Sequence, residues 1–307
     1  NEPNTDFFAL KNGRSLGDTG NDMAIYGSKM YIVVSVSSQL EVVDPYTGEN
    51  IAQIPFFDGD SPRQPRYIAF HQSKAFVCSY DGTVAVIDTA SLQIEKHINV
   101  GRNPDGIAVA NDKLYVSNSG GLDCPDYDNT VSVIDLNTLT EIKQIEVQIN
   151  PSIIVPDKYG DLYVVSRGNY GDIKMCLQII DSNTDELKYT FPDMEVLNLT
   201  INGDTAYAYY YDYLSGSGSQ IMMIDVATET VLGYNFIKDG TIIETAYGIT
   251  VDKVSGDIFI SDAKEFTNTG EVLCFDRFGT LKFSFTAGLN PGHVACMYRQ
   301  DISSIEN

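Results

Sequence analysis

The feature that most constrains this chain is an aspartate that returns at the end of one apolar run after another. It stands as Asp44 in EVVDPYTGE, Asp88 in VAVIDTASL, Asp135 in VSVIDLNTL, Asp181 in LQIIDSNTD, Asp225 in MMIDVATET and Asp276 in VLCFDRFGT. Successive spacings are 44, 47, 46, 44 and 51 residues. A fixed period of this length marks a repeat architecture in which each repeat is one supersecondary unit. An Asp side chain accepts from backbone N–H groups two residues on and starts a tight turn. Each of the six therefore reads as the turn between the third and fourth strands of a repeat, not as a catalytic acid.

Residues 104–150 serve as the template. The runs 107–110, 114–117, 130–134 and 141–147 are rich in Val, Ile, Tyr and Thr and are separated by Asn, Asp, Gly and Pro. That is the pattern of short β-strands, and four in one period make a propeller blade. Seven first strands open along the chain, at Asp22, Tyr67, Gly106, Ser152, Leu197, Gly248 and Gly292. Six second strands follow, as KMYIVVS, KAFVCSY, KLYVSNS, DLYVVSR, TAYAYYY and DIFISDA. Weaker outer strands fall at 50–56, 93–100, 140–147, 187–191, 231–237 and 281–286.

The expectation is an all-β chain forming a single domain, 1–307: a seven-bladed β-propeller with four-stranded antiparallel blades. Six blades are complete, and the ring is closed by pairing of the N- and C-terminal strands, 5–10 and 293–298. Closure matters because an open ring leaves a sheet edge unpaired. The second and third strands of the closing blade are not evident. Helix is expected to be close to nil, since no segment holds a 3.6-residue apolar period over three turns.

Charge narrows the partners. Forty-two acidic against 20 basic side chains give a formal net charge of −22, which repels nucleic-acid phosphates and anionic lipid alike. Cysteine is uninformative: five residues, no CxxC, and four of them in apolar runs, where thiols pack as small hydrophobes. No run of about 18 apolar residues exists to span a membrane. The first residues lack a signal-peptide pattern, which is consistent with a mature or trimmed form of a longer precursor.

Loops after the second strands and before the first strands share one face of a propeller, where ligands gather over the axis. The repeat picks out those positions. After second strands stand Ser37, Tyr80, Asn118, Arg167, Tyr211 and Asp262; beside first strands stand Asp22, Arg66, Asp105, Tyr247 and His293. Longer loops rise there at 119–129, 168–174, 212–218 and 264–270, the second carrying Tyr170. The candidate ligand-binding set is Arg66, Tyr80, Asp105, Asn118, Arg167, Tyr170, Tyr211, Tyr247, Asp262 and His293. Tyrosines give flat amphipathic contact area with one hydroxyl each; the Asn, Asp and Arg side chains donate and accept. Asp123, Asp126, Asp128 and Asn129 are hard oxygen ligands of the kind calcium takes, without EF-hand spacing. His71, His97 and His293 lie in different repeats and lack zinc spacing. No GxSxG occurs, and no catalytic set stands out.

KLYVSNSG, NTVSVIDLNTLTEIKQIEV and NPDGIAVANDKLYVS resemble the YVTN-type propeller repeat, most closely at 65–102 and 104–150. The last third, AYGITVDKVSGDIFISDAKEFTNTGEVLCFDRFGTLKFSFTAGLNPGHVACM, with NDMAIYGSKMYIVV and DKYGDLYVVSRGNYG, resembles the BtuG-type proteins. These are seven-bladed surface lipoproteins of gut Bacteroidetes that capture cobalamin and pass it to a TonB-dependent outer-membrane transporter. The resemblance implies a non-enzymatic, cell-surface binding protein, lipid-anchored at the outer membrane and monomeric on its own. It would take a corrinoid as transported ligand, not as cofactor, and its partner would be such a transporter. Two alternatives stay open at this point: a propeller scaffold for protein partners alone, and a lactonase-like hydrolase using Arg167 or His293.

Overall fold

A computed structural model describes residues 6–212 and 218–298. Among them stand six four-stranded antiparallel sheets, each with its strands hydrogen-bonded in chain order. We call them blades 1 to 6, covering 20–55, 65–99, 104–146, 151–190, 198–233 and 246–289. In blade 3 the strands are Pro104–Ala110, Lys113–Asn118, Thr130–Asp135 and Thr140–Glu146. The aspartate turns form as the sequence predicts. Asp135 Oδ1 accepts from the N–H groups of Asn137 and Thr138 at 2.9 and 2.8 Å. Asp44, Asp88, Asp181, Asp225 and Asp276 make the same turn at their own sites.

Burial follows the blade order. Second and third strands are almost wholly enclosed, and Tyr31, Tyr115 and Tyr163 occupy the same second-strand position at 0% exposure. Five buried apolar clusters form, one at each junction between consecutive blades. Leu114, Val116 and Ile134 of blade 3, for example, pack on Phe76, Val84 and Val86 of blade 2. Each such side chain contributes about 1.5–3 kcal/mol on burial. Outer strands read as exposed edges; Glu186–Thr190 has no buried residue.

The expected seventh blade does not form among the described residues. The N-terminal segment is not a strand: Phe7–Asn12 is a short helix, closed by Gly13 in the left-handed conformation at φ 66°. It lies on the outer side of blade 1, with the Asn12 amide donating to the Gly48 carbonyl at 2.9 Å and Asn12 Oδ1 accepting from the Asn50 N–H at 2.7 Å. Beyond it, Arg14 holds Glu41 through two bonds of 2.8 and 2.9 Å. Glu41 is fully buried, and a buried carboxylate needs such a partner. These contacts fix the segment on blade 1, away from the C-terminal strand it was expected to meet.

The seventh radial position is nonetheless occupied. Residues 291–298 pair with no strand, yet they begin as a first strand begins. Asn290 precedes Pro291 with φ 50°, as Gln64, Asn103 and Asn150 precede Pro65, Pro104 and Pro151 with φ 53°, 45° and 59°. A Cβ built on Gly248 would stand 2.0 Å from the Gly292 carbonyl oxygen, just as one on Gly106 would stand 1.9 Å from that of Ser152. Gly292 thus takes, beside blade 6, the place that Ser152 takes beside blade 3. From there His293 Nδ1 reaches Asp22 Oδ1 of blade 1 at 3.4 Å. A single segment, not a blade, bridges the ring at this joint. No buried apolar cluster spans it among the described residues, and Phe283 of blade 6 is left 48% exposed beside it.

Candidate functional site

The first strands of all blades line up through one apolar residue each: Met23, Ile68, Ile107, Ile154, Leu199 and Ile249. Two residues before it, in every blade but the fourth, stands a residue facing one cavity: Asn21, Arg66, Asp105, Leu197, Tyr247 and, from the bridging segment, Gly292; Ser152 of blade 4 is fully buried instead. Second strands add the residue three beyond their aligned partner, giving Tyr80, Ser119, Arg167 and Tyr211. The result is a cavity of about 660 Å³ that takes lining residues from every blade and so lies on the propeller axis.

Eight of the ten expected residues line it: Arg66, Tyr80, Asp105, Arg167, Tyr170, Tyr211, Tyr247 and His293. Asn118 and Asp262 do not. Asn118 is fully buried within blade 3, donating to Thr130 and Ser132 hydroxyls at 2.9 Å and accepting from the Gly101 N–H at 3.0 Å. Asp262 accepts from the N–H groups of Glu244, Thr245 and Lys264 and shapes that turn. Both sit one residue early in the repeat. In a strand a one-residue slip turns the side chain to the other face, and the residues one further on are Ser119, which lines the cavity, and Ala263. Tyr67, Tyr209 and Asn198 also line the cavity but are missing from the expected set. The signal for Tyr67 and Asn198 was the position beside each first-strand opening.

Arg66 and Asp105 form the charged pair of the floor, at 2.9 Å with the guanidinium 4.5 Å from the Tyr80 ring centroid. Burial works against the Arg66 charge, but Asp105, with Tyr80 and Tyr67, overrides it and leaves the pKa raised. Burial likewise pushes the Tyr67, Tyr80 and Tyr209 hydroxyls well up, so all three keep their protons as donors near neutrality. Tyr209 spends its own on the Tyr247 carbonyl at 2.7 Å. Burial, with Asp105 close by, also pushes the Cys78 thiol up to about 12. It is packing, not a reactive centre.

The rim is aromatic. The Tyr127 and Tyr170 rings meet edge-on at 6.3 Å, and Phe266 stands 6.5 Å from Tyr211 and 6.0 Å from Tyr247. Tyr170 and Phe266 both adopt left-handed backbone, φ 57° and 64°. That conformation is uncommon for bulky residues and clusters at functional sites. The loop 212–218 falls partly outside the described residues.

The acids of loop 119–129 converge on an arginine, which occupies the place where calcium was considered. Arg102 bonds Asp123 at 3.0 Å, Asp128 Oδ1 through Nε at 3.0 Å, and the Asp126 carbonyl at 3.0 Å. Among the described residues no group of three or more His, Cys, Asp or Glu stands together as a metal-ligand set. No described helix is long and apolar enough to cross a membrane.

Known structures place this architecture among the propellers. Hydrazine synthase of Kuenenia stuttgartiensis aligns with a TM-score of 0.64 at 18% identity, covering 84% of this chain and 75% of its own. A quinonprotein alcohol dehydrogenase-like protein from Bacteroides thetaiotaomicron aligns with a TM-score of 0.64 at 16% identity, covering 92% of this chain and 70% of its own. The WD40 domain of Neurospora crassa Pan2 aligns with a TM-score of 0.63 at 10% identity, covering 90% and 80%. Identities this low speak to fold alone. No curated protein matches the chain. The match of residues 4–282 to a single family profile decides the membership: the chain belongs to the DUF5074 family, a domain of unknown function.

Proposed function

We propose that this propeller is a non-enzymatic binding protein that captures a corrinoid such as cobalamin on its loop-rich face and delivers it to a transporter in the outer membrane. The observation that carries the reading is the axial cavity of about 660 Å³ beneath an aromatic rim. A flat axial face would favour a scaffold for protein partners alone. A cavity of this size lies within the range of small-molecule sites. A corrinoid presents a broad ring edged with amide arms. Tyr170, at 66% exposure, and Tyr247, at 39%, offer ring faces to the macrocycle. Asn21, Asn150 and Asn198, also in the cavity lining, match amides with donors and acceptors. The transporter partner and a lipid-anchored place at the cell surface follow from the resemblance to the BtuG-type proteins.

Isothermal calorimetry with cyanocobalamin tests the reading. Saturable heat at micromolar protein, with a change in corrinoid absorbance, is the expected result. Absence of both overturns it.

A further inference from the structure

The cavity holds two arginines, and among the described residues one of them has a hydrogen-bonded partner and the other has none. Arg66 is spoken for by Asp105. Elsewhere Arg14, Arg63 and Arg102 each close on a carboxylate. The Arg167 side chain lines the cavity and makes no hydrogen bond or ion pair with any described residue; only its backbone N–H is engaged, with the Asn150 carbonyl at 2.9 Å. The neighbouring acids make their hydrogen bonds elsewhere. Asp105 Oδ1 takes Arg66. Asp22 takes the N–H groups of Met23 and Ile68 at 2.8 and 2.9 Å, with His293 beside it. Arg167 is half-buried in the cavity wall; desolvation opposes its charge, yet Asp105 and the surrounding tyrosines keep its pKa raised. An arginine does not lose its proton in a protein. Its fork of donors therefore faces the cavity with no protein oxygen on it among the described residues, open to a group that arrives from outside.

We propose that Arg167 is the anchor of an oxyanion subsite in the axial cavity, taking a phosphate or carboxylate group of the ligand on its guanidinium. The planar fork of five N–H donors matches two oxygens of such a group. The hydroxyls of Tyr67 and Tyr80, protonated and in the lining of the same cavity, add neutral donors. Asn290, whose buried Oδ1 lacks a partner, marks the opposite wall as a place for a ligand donor. The chain's net charge of −22 does not forbid this, because at physiological salt exposed charges are screened beyond about 8 Å. The subsite rests on the axial cavity being the ligand site proposed above, but not on the ligand being a corrinoid.

The test uses inorganic phosphate and acetate as probes, titrated at constant ionic strength against the wild type, Arg167→Gln, Arg167→Lys and Arg277→Gln. Arg277 is an exposed arginine stacked on Phe278 and serves as the control. The expected result is saturable oxyanion binding that weakens about 10-fold or more in Arg167→Gln. Binding falls partway in Arg167→Lys and is unchanged in Arg277→Gln. Preference for phosphate over acetate would assign the group as a phosphate, and the reverse as a carboxylate. No oxyanion binding by the wild type, or equal binding by Arg167→Gln, overturns the proposal. Should Arg167→Gln not fold, Arg167→Lys decides: affinity equal to wild type counts against the fork. A cyanocobalamin arm separates the two readings. Oxyanion binding without corrinoid binding leaves the subsite standing and removes the corrinoid. Corrinoid binding with no Arg167-dependent oxyanion binding does the opposite.

Discussion

Two glycines that occupy the same place in different repeats make the sharpest prediction. Alanine at Gly106 puts a Cβ 1.9 Å from the Ser152 carbonyl oxygen and 2.9 Å from its carbon; alanine at Gly248 puts one 2.0 and 2.7 Å from the same atoms of Gly292. Carbon–oxygen contacts settle at about 3.3–3.6 Å, so either substitution forces a shift of roughly 1.3 Å or more. What moves differs. Ser152 lies in a buried strand laddered to Asp161–Ser166. The Ser117 hydroxyl, which accepts from the Gly106 N–H and donates to the Ser152 carbonyl at 2.6 Å each, would be wrenched from both. Overpacking costs about 1–3 kcal/mol and each lost bond about 1 kcal/mol, so Gly106→Ala should cost about 3–5 kcal/mol. In a chain this long that is a fall in Tm of about 5–10 °C. Gly292 lies in a segment with no strand ladder, which can yield. Gly248→Ala should cost only about 1–2 kcal/mol. It should, however, carry His293 away from Asp22 and open one cavity wall, so ligand affinity falls more than stability. Thermal melts followed by circular dichroism, paired with cyanocobalamin titrations, read both effects. A Gly248→Ala protein that melts and binds like the wild type would show that 291–298 does not sit in the first-strand place. One that melts as low as Gly106→Ala would show that the joint is as firmly built as a full blade.

Other outcomes follow from the same geometry. Asp105→Asn removes the carboxylate facing Arg66 and leaves a buried guanidinium unpaired; it should cost about 3 kcal/mol by urea unfolding. Tyr31 and Tyr115 share a repeat position, but the Tyr31 hydroxyl has no partner while that of Tyr115 bonds Asp185 at 2.5 Å. Tyr115→Phe should cost about 1 kcal/mol and Tyr31→Phe nearly nothing; equal losses in chemical denaturation would refute the distinction. Backbone N–H groups hold the Asp88, Asp135 and Asp181 carboxyls below the usual carboxylate range. A folded pKa below the unfolded one gives stability that is full above the unfolded value and drains away as pH falls through the folded one. Urea midpoints should therefore hold steady from pH 7 to about 5 and drop steeply below about 4. In Asp135→Ala, stability at neutral pH should fall while ligand affinity stays.

The blades were legible because the information is local and written six times. Each aspartate turn and each strand of alternating Val, Ile and Tyr declares itself within ten residues, and the period supplies the order. The closure was not legible because it depends on contacts between distant segments. The stretch 5–10 carries apolar residues that suit a strand, and what makes Phe7–Asn12 a helix on blade 1 is Gly13 at its end and the distant pairing of Arg14 with Glu41. Glu41 itself reads as an exposed strand residue until that partner is seen. The candidate site was legible to within one residue. Arg66, Asp105 and Arg167 were found because the repeat points at the axis, whereas Asn118 and Asp262 were off by a single position that strand alternation converts into the wrong face. That Arg167 lacks a hydrogen-bond partner among the described residues is invisible in sequence, since it depends on where Asp105 and Asp22 place their own bonds.

The most direct test is a crystal structure of the protein grown with cyanocobalamin. The account predicts the corrin ring across the mouth of the axial cavity, on Tyr170 and Tyr247, with one arm reaching toward Arg167. A corrinoid bound on an outer strand or between blades, or an axial cavity left empty at saturating ligand, would contradict it.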